Sequence, residues 1–376
     1  MERLTVPPRP DWRAHVERDL GFNFHTIAGA PYWDEAAYYR FTSAEIDAIE
    51  AATAELEQMA LALVDRVVQT GEQAFERLRI PRIAWEAIAG SWHAQEKNLY
   101  GRFDLAYGGV GAPKLLEYNA DTPTALFEAA VVQWDWLQAG WPGRDQFNSI
   151  HERLIEAWRN FGVDGRRVHF AAVKNHTEDL GTVEYLRDTA TQAGLQTDRI
   201  AIEDVGWDGA AFRDLDSRAI EVLFKLYPWE WLIREEFGAQ LLTGVTKVIE
   251  PAWKMVLSNK AALAMLWEMA PDHPNLLPTF LEPGCIEGKV VRKPIYSREG
   301  ANVQVLDGGK VEVETEGGYG AEGFVYQAHV EIPAFAGNYP VVGSWVVASQ
   351  PAGIGIREDA TSITRDTSRF VPHFFD

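Results

Sequence analysis

The chain predicts a mixed α/β fold of the α+β kind, and three segments carry that prediction. Residues 42–70 keep helical hydrophobic spacing. Residues 167–193 read as a buried strand followed by a helix. From about residue 285 one strand signal follows another. With 376 residues, 47% hydrophobic and 12% aromatic, the composition is globular and long enough for more than one core.

The elements follow in order. Residues 1–40 are rich in proline and aromatics and are expected to be irregular. Thr42 and Glu45 form a capping box, Ile46, Ile49, Ala52, Leu56, Met59, Leu63 and Val67 keep one face, and Gly71 lies just past the end. Leu115–Tyr118 reads as a short strand. Arg167–Val173 reads as a buried strand and Gly181–Ala193 as its helix, with Arg199–Ile202 and Val222–Tyr227 as further strands. This smaller α/β unit offers carboxyl-end loops, where ligands bind in such folds. Lys289–Pro294, Asn302–Leu306, Lys310–Glu314, Phe324–Glu331 and Val341–Ser349 make a mostly antiparallel block, with Asp307-Gly-Gly309 as a hairpin turn. Gly353-Ile-Gly-Ile-Arg-Glu-Asp359 reads as a close-approach loop. The expected division is 1–150, 151–250 and 251–376.

Thirty-five basic against 55 acidic residues give a formal charge of -20. Such a surface disfavours nucleic acid and anionic membranes as partners. The single cysteine, Cys285, permits no internal disulfide and has no base beside it. No leader-like apolar segment opens the chain, and no run is apolar enough to span a bilayer. A cytoplasmic location is expected.

The candidate chemistry lies in Tyr100-Gly-Arg-Phe-Asp-Leu-Ala-Tyr107 and Leu115-Leu-Glu-Tyr-Asn-Ala-Asp-Thr-Pro-Thr124. Residues two apart on a strand share a face, so Glu117 joins Asn119, and Asp104 joins Arg102. Oxygen ligands of this kind suit Mg²⁺, and an arginine beside them suits phosphate oxygens. Any one of these acids alone reads as a loop cap; the constellation reads as a nucleotide-phosphate site. Lys260 opens an apolar helix and Lys293 ends a strand, two point charges for phosphates. The loop Tyr296–Asn302, with Gly300, offers backbone N–H groups as a phosphate cradle. Gln327, in Phe324–Val330, is placed to read an adenine edge, although its strand alternates like any other. Arg357 is a candidate for charge developing on a transferring phosphoryl group, or a surface partner of Glu358 or Asp359. Tyr227-Pro-Trp-Glu-Trp231 is read as packing.

Together these segments resemble the synthetase domain of glutathionylspermidine synthase and its stand-alone bacterial relatives, over nearly the entire chain. The matching pieces are Arg102-Phe-Asp104, Leu116-Glu-Tyr-Asn-Ala-Asp121, Asn259-Lys260, Val291-Arg-Lys-Pro294 with its glycine-containing loop, and Gly355-Ile-Arg357. The resemblance implies an ATP-grasp fold, with the antiparallel block binding the nucleotide. It implies an ATP-dependent ligase that activates a carboxylate as an acyl phosphate and passes the acyl group to an amine. It implies two Mg²⁺ ions on Asp104, Glu117 and Asn119, phosphate contacts from Arg102 and Arg357, and ATP lysines in Lys260 and Lys293. Asp121, Thr122 and Thr124 then stand near a thiol-peptide substrate such as glutathione, and Glu178 and Asp179 in a polyamine pocket. The family's amidase domain is absent here, so hydrolysis of the conjugate is not expected. The basic stretch Thr364–Arg369 departs from what a polyamine site wants. A ligase joining a different carboxylate and amine, and an ATP- or peptide-binding module without turnover, stay open as alternatives.

Overall fold

The computed structural model describes every residue except Ala28, Asp164 and Asp366. Its centre is a five-stranded antiparallel sheet. The strand order is Arg369–Val371, Gln350–Asp359, Tyr339–Val347, Tyr100–Ala106 and Lys114–Asn119. Segments more than two hundred residues apart therefore pair side by side.

One face of this sheet is covered by the helix Ser43–Thr70. Thr42 accepts from Glu45 N–H and Glu45 returns the bond to Thr42 N–H, the expected capping box. Ile49, Leu56, Leu63 and Val67 pack in one core with Phe103, Leu105, Val342 and Ile354. Met59, expected on that face, is only half-buried. Because neighbours on a strand alternate, burying Phe103 and Leu105 here turns Arg102 and Asp104 to the opposite face.

On that opposite side Tyr100, Trp345 and Phe370 join a second core with Leu126, Ala129, Phe170 and Phe224. Phe170 and Phe224 belong to a four-stranded parallel sheet. Its order is Lys247–Ile249, Val222–Lys225, Arg167–Ala172 and Gln196–Ala201, with the helix Thr177–Gln192 as a crossover. This is the small α/β unit the sequence predicts.

Four strands of the expected antiparallel block form a third sheet, ordered Thr279–Phe280, Phe324–Ala328, Val290–Pro294, Gln304–Asp307 and Lys310–Glu314, whereas the fifth, expected at Val341–Ser349, belongs to the central sheet as Tyr339–Val347. It meets the edge strand of the central sheet through Lys293 and Gln327, which donate to the Leu116 and Leu115 carbonyls at 2.9 and 3.2 Å.

Two further expectations need correction. Residues 1–40 are not irregular throughout: Glu2–Thr5 and Ala37–Phe41 pair antiparallel, and His373–Phe375 lies parallel to the second. Only the far C-terminal strand completes that sheet, which local patterning does not reveal. The segment Gly353–Asp359 is not a loop but part of the strand Gln350–Asp359. A Cβ at Gly353 would lie 2.8 Å from the Phe147 carbonyl oxygen, and one at Gly355 2.7 Å from the Phe370 ring. These glycines admit close neighbours to a strand interior instead of making a turn.

Candidate active site

Paired strands build the site from opposite residues. Arg102 lies across from Asn119, and Asp104 from both Glu117 and Gly343. Arg102 binds Asp104 through two bonds of 2.6 and 3.0 Å, donates to the Thr124 carbonyl at 2.6 Å and lies over the Trp345 ring. Gly343 makes room for this arginine: a Cβ there would sit 2.8 Å from Arg102 Cδ. The Asn119 amide donates to Asp104 at 3.2 Å and to Glu117 at 3.1 Å, so three oxygen-bearing side chains converge.

Lysines close the other side. Lys260 caps the helix Ala261–Met269 and sits 3.0 Å from Glu117, while also donating to the Ser297 carbonyl at 2.7 Å. Lys293 donates to Gln327 Oε1 at 2.7 Å. Burial opposes charge on Glu117, yet Lys260 and then Lys293 hold its carboxyl at about 2. Burial in turn lowers Lys293 to about 8, against the pull of Glu117. Asp104 is pushed up by burial, which outweighs the guanidinium of Arg102. These groups face a cleft lined by Asp104, Glu117, Lys260, Lys293, Gly300 and Gln327. Val291, Val303, Val305 and Ile332 make its apolar wall.

The donor set passes a chemical test for a hard cation. Asp104 and Glu117 bring carboxylate oxygens of the kind a hard cation takes, Asn119 donates its amide N–H to both and would add its oxygen with the amide turned over, and Arg102 and Lys260 are the positive neighbours of the two acids.

The other candidates sit as follows. Asp121 is buried against Lys225 at 2.5 Å and accepts from Trp229 N–H at 2.9 Å, so both of its oxygens anchor the segment 121–124. Thr122 accepts from Arg298 at 2.7 Å, and Thr124 contributes its carbonyl to Arg102. Glu178 and Asp179 lie in the first turn of Thr177–Gln192, and burial foremost raises Asp179 to about 6. Arg357 lines a small cavity with Arg102, Asp104 and Thr364 and donates to the Arg365 carbonyl. In the basic C-terminal stretch, Arg365 pairs with Asp359 at 3.0 Å and Arg369 with Glu358 at 2.8 Å, so their charges are spent within the fold. Trp229 is buried as packing requires, whereas Trp231 is partly exposed beneath Arg298.

Sequence reasoning missed Arg298, Lys225 and Glu128. Arg298 bridges Thr122 and Glu230, 2.7 Å to each, and ties the loop 296–302 to the segment 121–124. Lys225 and Glu128 carried a usable signal: each is one charged residue within an apolar run, Val222-Leu-Phe-Lys225 and Ala125-Leu-Phe-Glu-Ala-Ala-Val-Val132. Such residues are rarely buried unless paired or used.

Comparison with known proteins gives the family of the chain. The chain is 43% identical, across the full length of both proteins, to a putative acid–amine ligase of Haemophilus influenzae. It is 32% identical to trypanothione synthetase of Crithidia fasciculata over 78% of this chain and 50% of that protein. It is 27% identical to bifunctional glutathionylspermidine synthetase/amidase of Escherichia coli over 95% of this chain and 62% of that one. The chain thus spans only part of these two longer relatives. Among solved structures, a glutathione synthetase-like effector of Globodera pallida superposes with a TM-score of 0.56 at 11% identity, covering 90% of this chain and 89% of that one. A putative gamma-glutamylcysteine synthetase of Methylobacillus flagellatus gives 0.50 at 12%, covering 86% and 88%. The ATP-grasp type of architecture implied by the resemblance is borne out by these folds. The family model described as glutathionylspermidine synthase preATP-grasp matches residues 3–376, and the chain belongs to that family.

Proposed function

We propose that the chain is an ATP- and Mg²⁺-dependent carboxylate–amine ligase that forms an amide through an acyl phosphate. One observation carries the reading: a single cleft is lined by Asp104, Glu117, Lys260 and Lys293, with Asn119 hydrogen-bonded to both carboxylates. Asp104, Glu117 and Asn119 would hold Mg²⁺, which would supply charge neutralisation at the phosphates of ATP. Lys260 and Lys293 hold phosphate oxygens, and the apolar wall takes the base. Arg102 and Arg357 flank the point where the γ-phosphoryl group meets the substrate carboxylate, and they balance the charge that develops there. The loop 296–302, tied down by Arg298, keeps water from the acyl phosphate. Thr122 and Thr124 border the acyl donor; Glu178 and Asp179 receive the cationic amine.

Glutathione and a polyamine are the first pair to try, since the glutathionylspermidine synthetase/amidase carries both in its name. The internal pairing of Arg365 and Arg369 removes the objection to a polycation. The test is ADP release by the purified protein with ATP, Mg²⁺ and a panel of peptide carboxylates and amines. Release that needs both a carboxylate and an amine is expected. ATP binding with no release for any pair would favour a binding module.

A further inference from the structure

Making an amide from an amine at neutral pH requires a proton acceptor, because the amine arrives as an ammonium ion. The residues discussed so far do not fill that role well. Asp104 and Glu117 are tied to Arg102 and Lys260, and Asp121 is spent on Lys225 and Trp229. Among the described residues two buried glutamates, Glu57 and Glu128, have one oxygen bonded to a tyrosine and the other without a partner, and of the two it is Glu128 that feels Glu178 and Arg357.

Glu128 is fully buried at the start of a π-turn, Glu128–Val132, that continues as the helix Gln133–Gly140. Segments of this rare geometry recur at functional sites. Tyr32 donates its hydroxyl to Glu128 Oε1 at 2.5 Å, and burial keeps that phenol protonated. Glu128 Oε2 has no hydrogen-bond partner among the described residues. A buried carboxylate oxygen without a partner is costly, and a ligand that completes it is an economical explanation.

The charged groups around it come from three elements. Glu178 faces it from the helix Thr177–Gln192, and Arg357 from the strand Gln350–Asp359, while Tyr32 comes from the N-terminal segment. Arg357 Nε is likewise buried and unpartnered among the described residues. Arg357 also borders the cavity that holds Arg102 and Asp104. Glu178 is half-exposed, whereas Glu128 is fully buried. Burial first, and then Glu178, raises Glu128 to about 7, where a carboxylate both accepts and releases a proton near neutrality.

We propose that Glu128 is the proton acceptor for the attacking amine, with Tyr32 fixing one oxygen and leaving Oε2 for the ammonium group. The ammonium ion gives one proton to Oε2 and becomes a neutral amine. Its lone pair forms the C–N bond at the acyl-phosphate carbon, and the C–O bond to phosphate breaks with its electron pair. The second nitrogen proton leaves on the departing phosphate. Glu128 then returns its proton to solvent through Glu178. This inference rests on the ligase reading above.

The test separates the two. Hydroxylamine is neutral at pH 7 and traps an acyl phosphate with no need for a base. Wild-type protein is expected to form hydroxamate with hydroxylamine and amide with an alkylamine. Glu128→Gln keeps the Tyr32 bond but not the basicity. It should retain hydroxamate formation within about twofold and lose amide formation by about 100-fold or more. The wild-type kcat/KM for the amine should fall below about pH 7, a limb that Glu128→Gln abolishes. Equal loss of both products, or of neither, overturns the assignment. Should Glu128→Gln not fold, Tyr32→Phe leaves the carboxyl in place; an unchanged acidic limb in that variant would also overturn it. Wild-type protein that forms no hydroxamate with any carboxylate overturns the ligase reading itself.

Discussion

The two-residue spacing that puts Arg102 beside Asp104 and Glu117 beside Asn119 was visible in the sequence; their mutual contacts were not. Spacing fixes which face a strand residue takes, but the bonds that make Asn119 a bridge between Asp104 and Glu117 depend on two strands pairing in one register. The bridge makes Glu117→Gln a sharp test. The substitution keeps shape and hydrogen bonding but removes a charge that faces both lysines. Turnover dependent on Mg²⁺ should drop by about 100-fold, equivalent to ~2.7 kcal/mol, with the circular dichroism spectrum unchanged. Unaltered turnover would remove Glu117 from the metal site. Lys293 gives a pH signature of its own. A lysine is charged below its pKa, and burial has lowered this one to about 8. In the proposed ATP site, kcat/KM for ATP should therefore fall as pH rises through about 8. Lys293→Arg, which stays charged, should move that fall to higher pH.

Elements with strong local signals were readable, and those defined by distant partners were not. The helix Ser43–Thr70 announced itself through its cap and its apolar face. Thr42→Ala should lower stability by about 1 kcal/mol, read by chemical denaturation, with activity kept. The strand Gln350–Asp359 was mistaken for a loop because Gly353 and Gly355 look like turn residues until their neighbours are known. Gly353→Val would drive a side chain into the Phe147 carbonyl and the Asn148 backbone, neither of which can step aside. It should cost about 1–3 kcal/mol. Gly343→Ala differs in kind. Its Cβ meets Arg102, a side chain whose bonds to Asp104 and Thr124 would have to yield. Activity should suffer more than stability there, and equal loss in both would argue that Arg102 is only structural.

At the scale of the molecule, pairing of remote segments and net charge decide what local reading leaves open. The central sheet joins residues 100–119 to residues 339–371, and the N- and C-terminal strands close a second sheet. Arg3 reaches Glu358 at 2.7 Å across the whole sequence. No periodicity encodes such partners, which is why the class of fold was legible and its topology was not. The net charge of -20 was legible, and it bears on catalysis if the acceptor is a polycationic amine. A negative field draws cations toward the molecule and repels ATP. Near the cleft, Lys260 and Lys293 offset that repulsion for ATP, whereas Glu178 and Asp179 add to the attraction for the amine. The two substrates should thus respond differently to salt. The Debye length shrinks from about 30 Å at 0.01 M to about 10 Å at 0.1 M, so long-range steering fades over that interval. We expect kcat/KM for a polyamine to fall roughly 3- to 10-fold between those ionic strengths, and that for a monoamine of equal length to fall less. The value for ATP should change little. If the polyamine and the monoamine respond alike, the global field is not steering the acceptor, and local recognition by the acidic residues would have to account for amine capture alone.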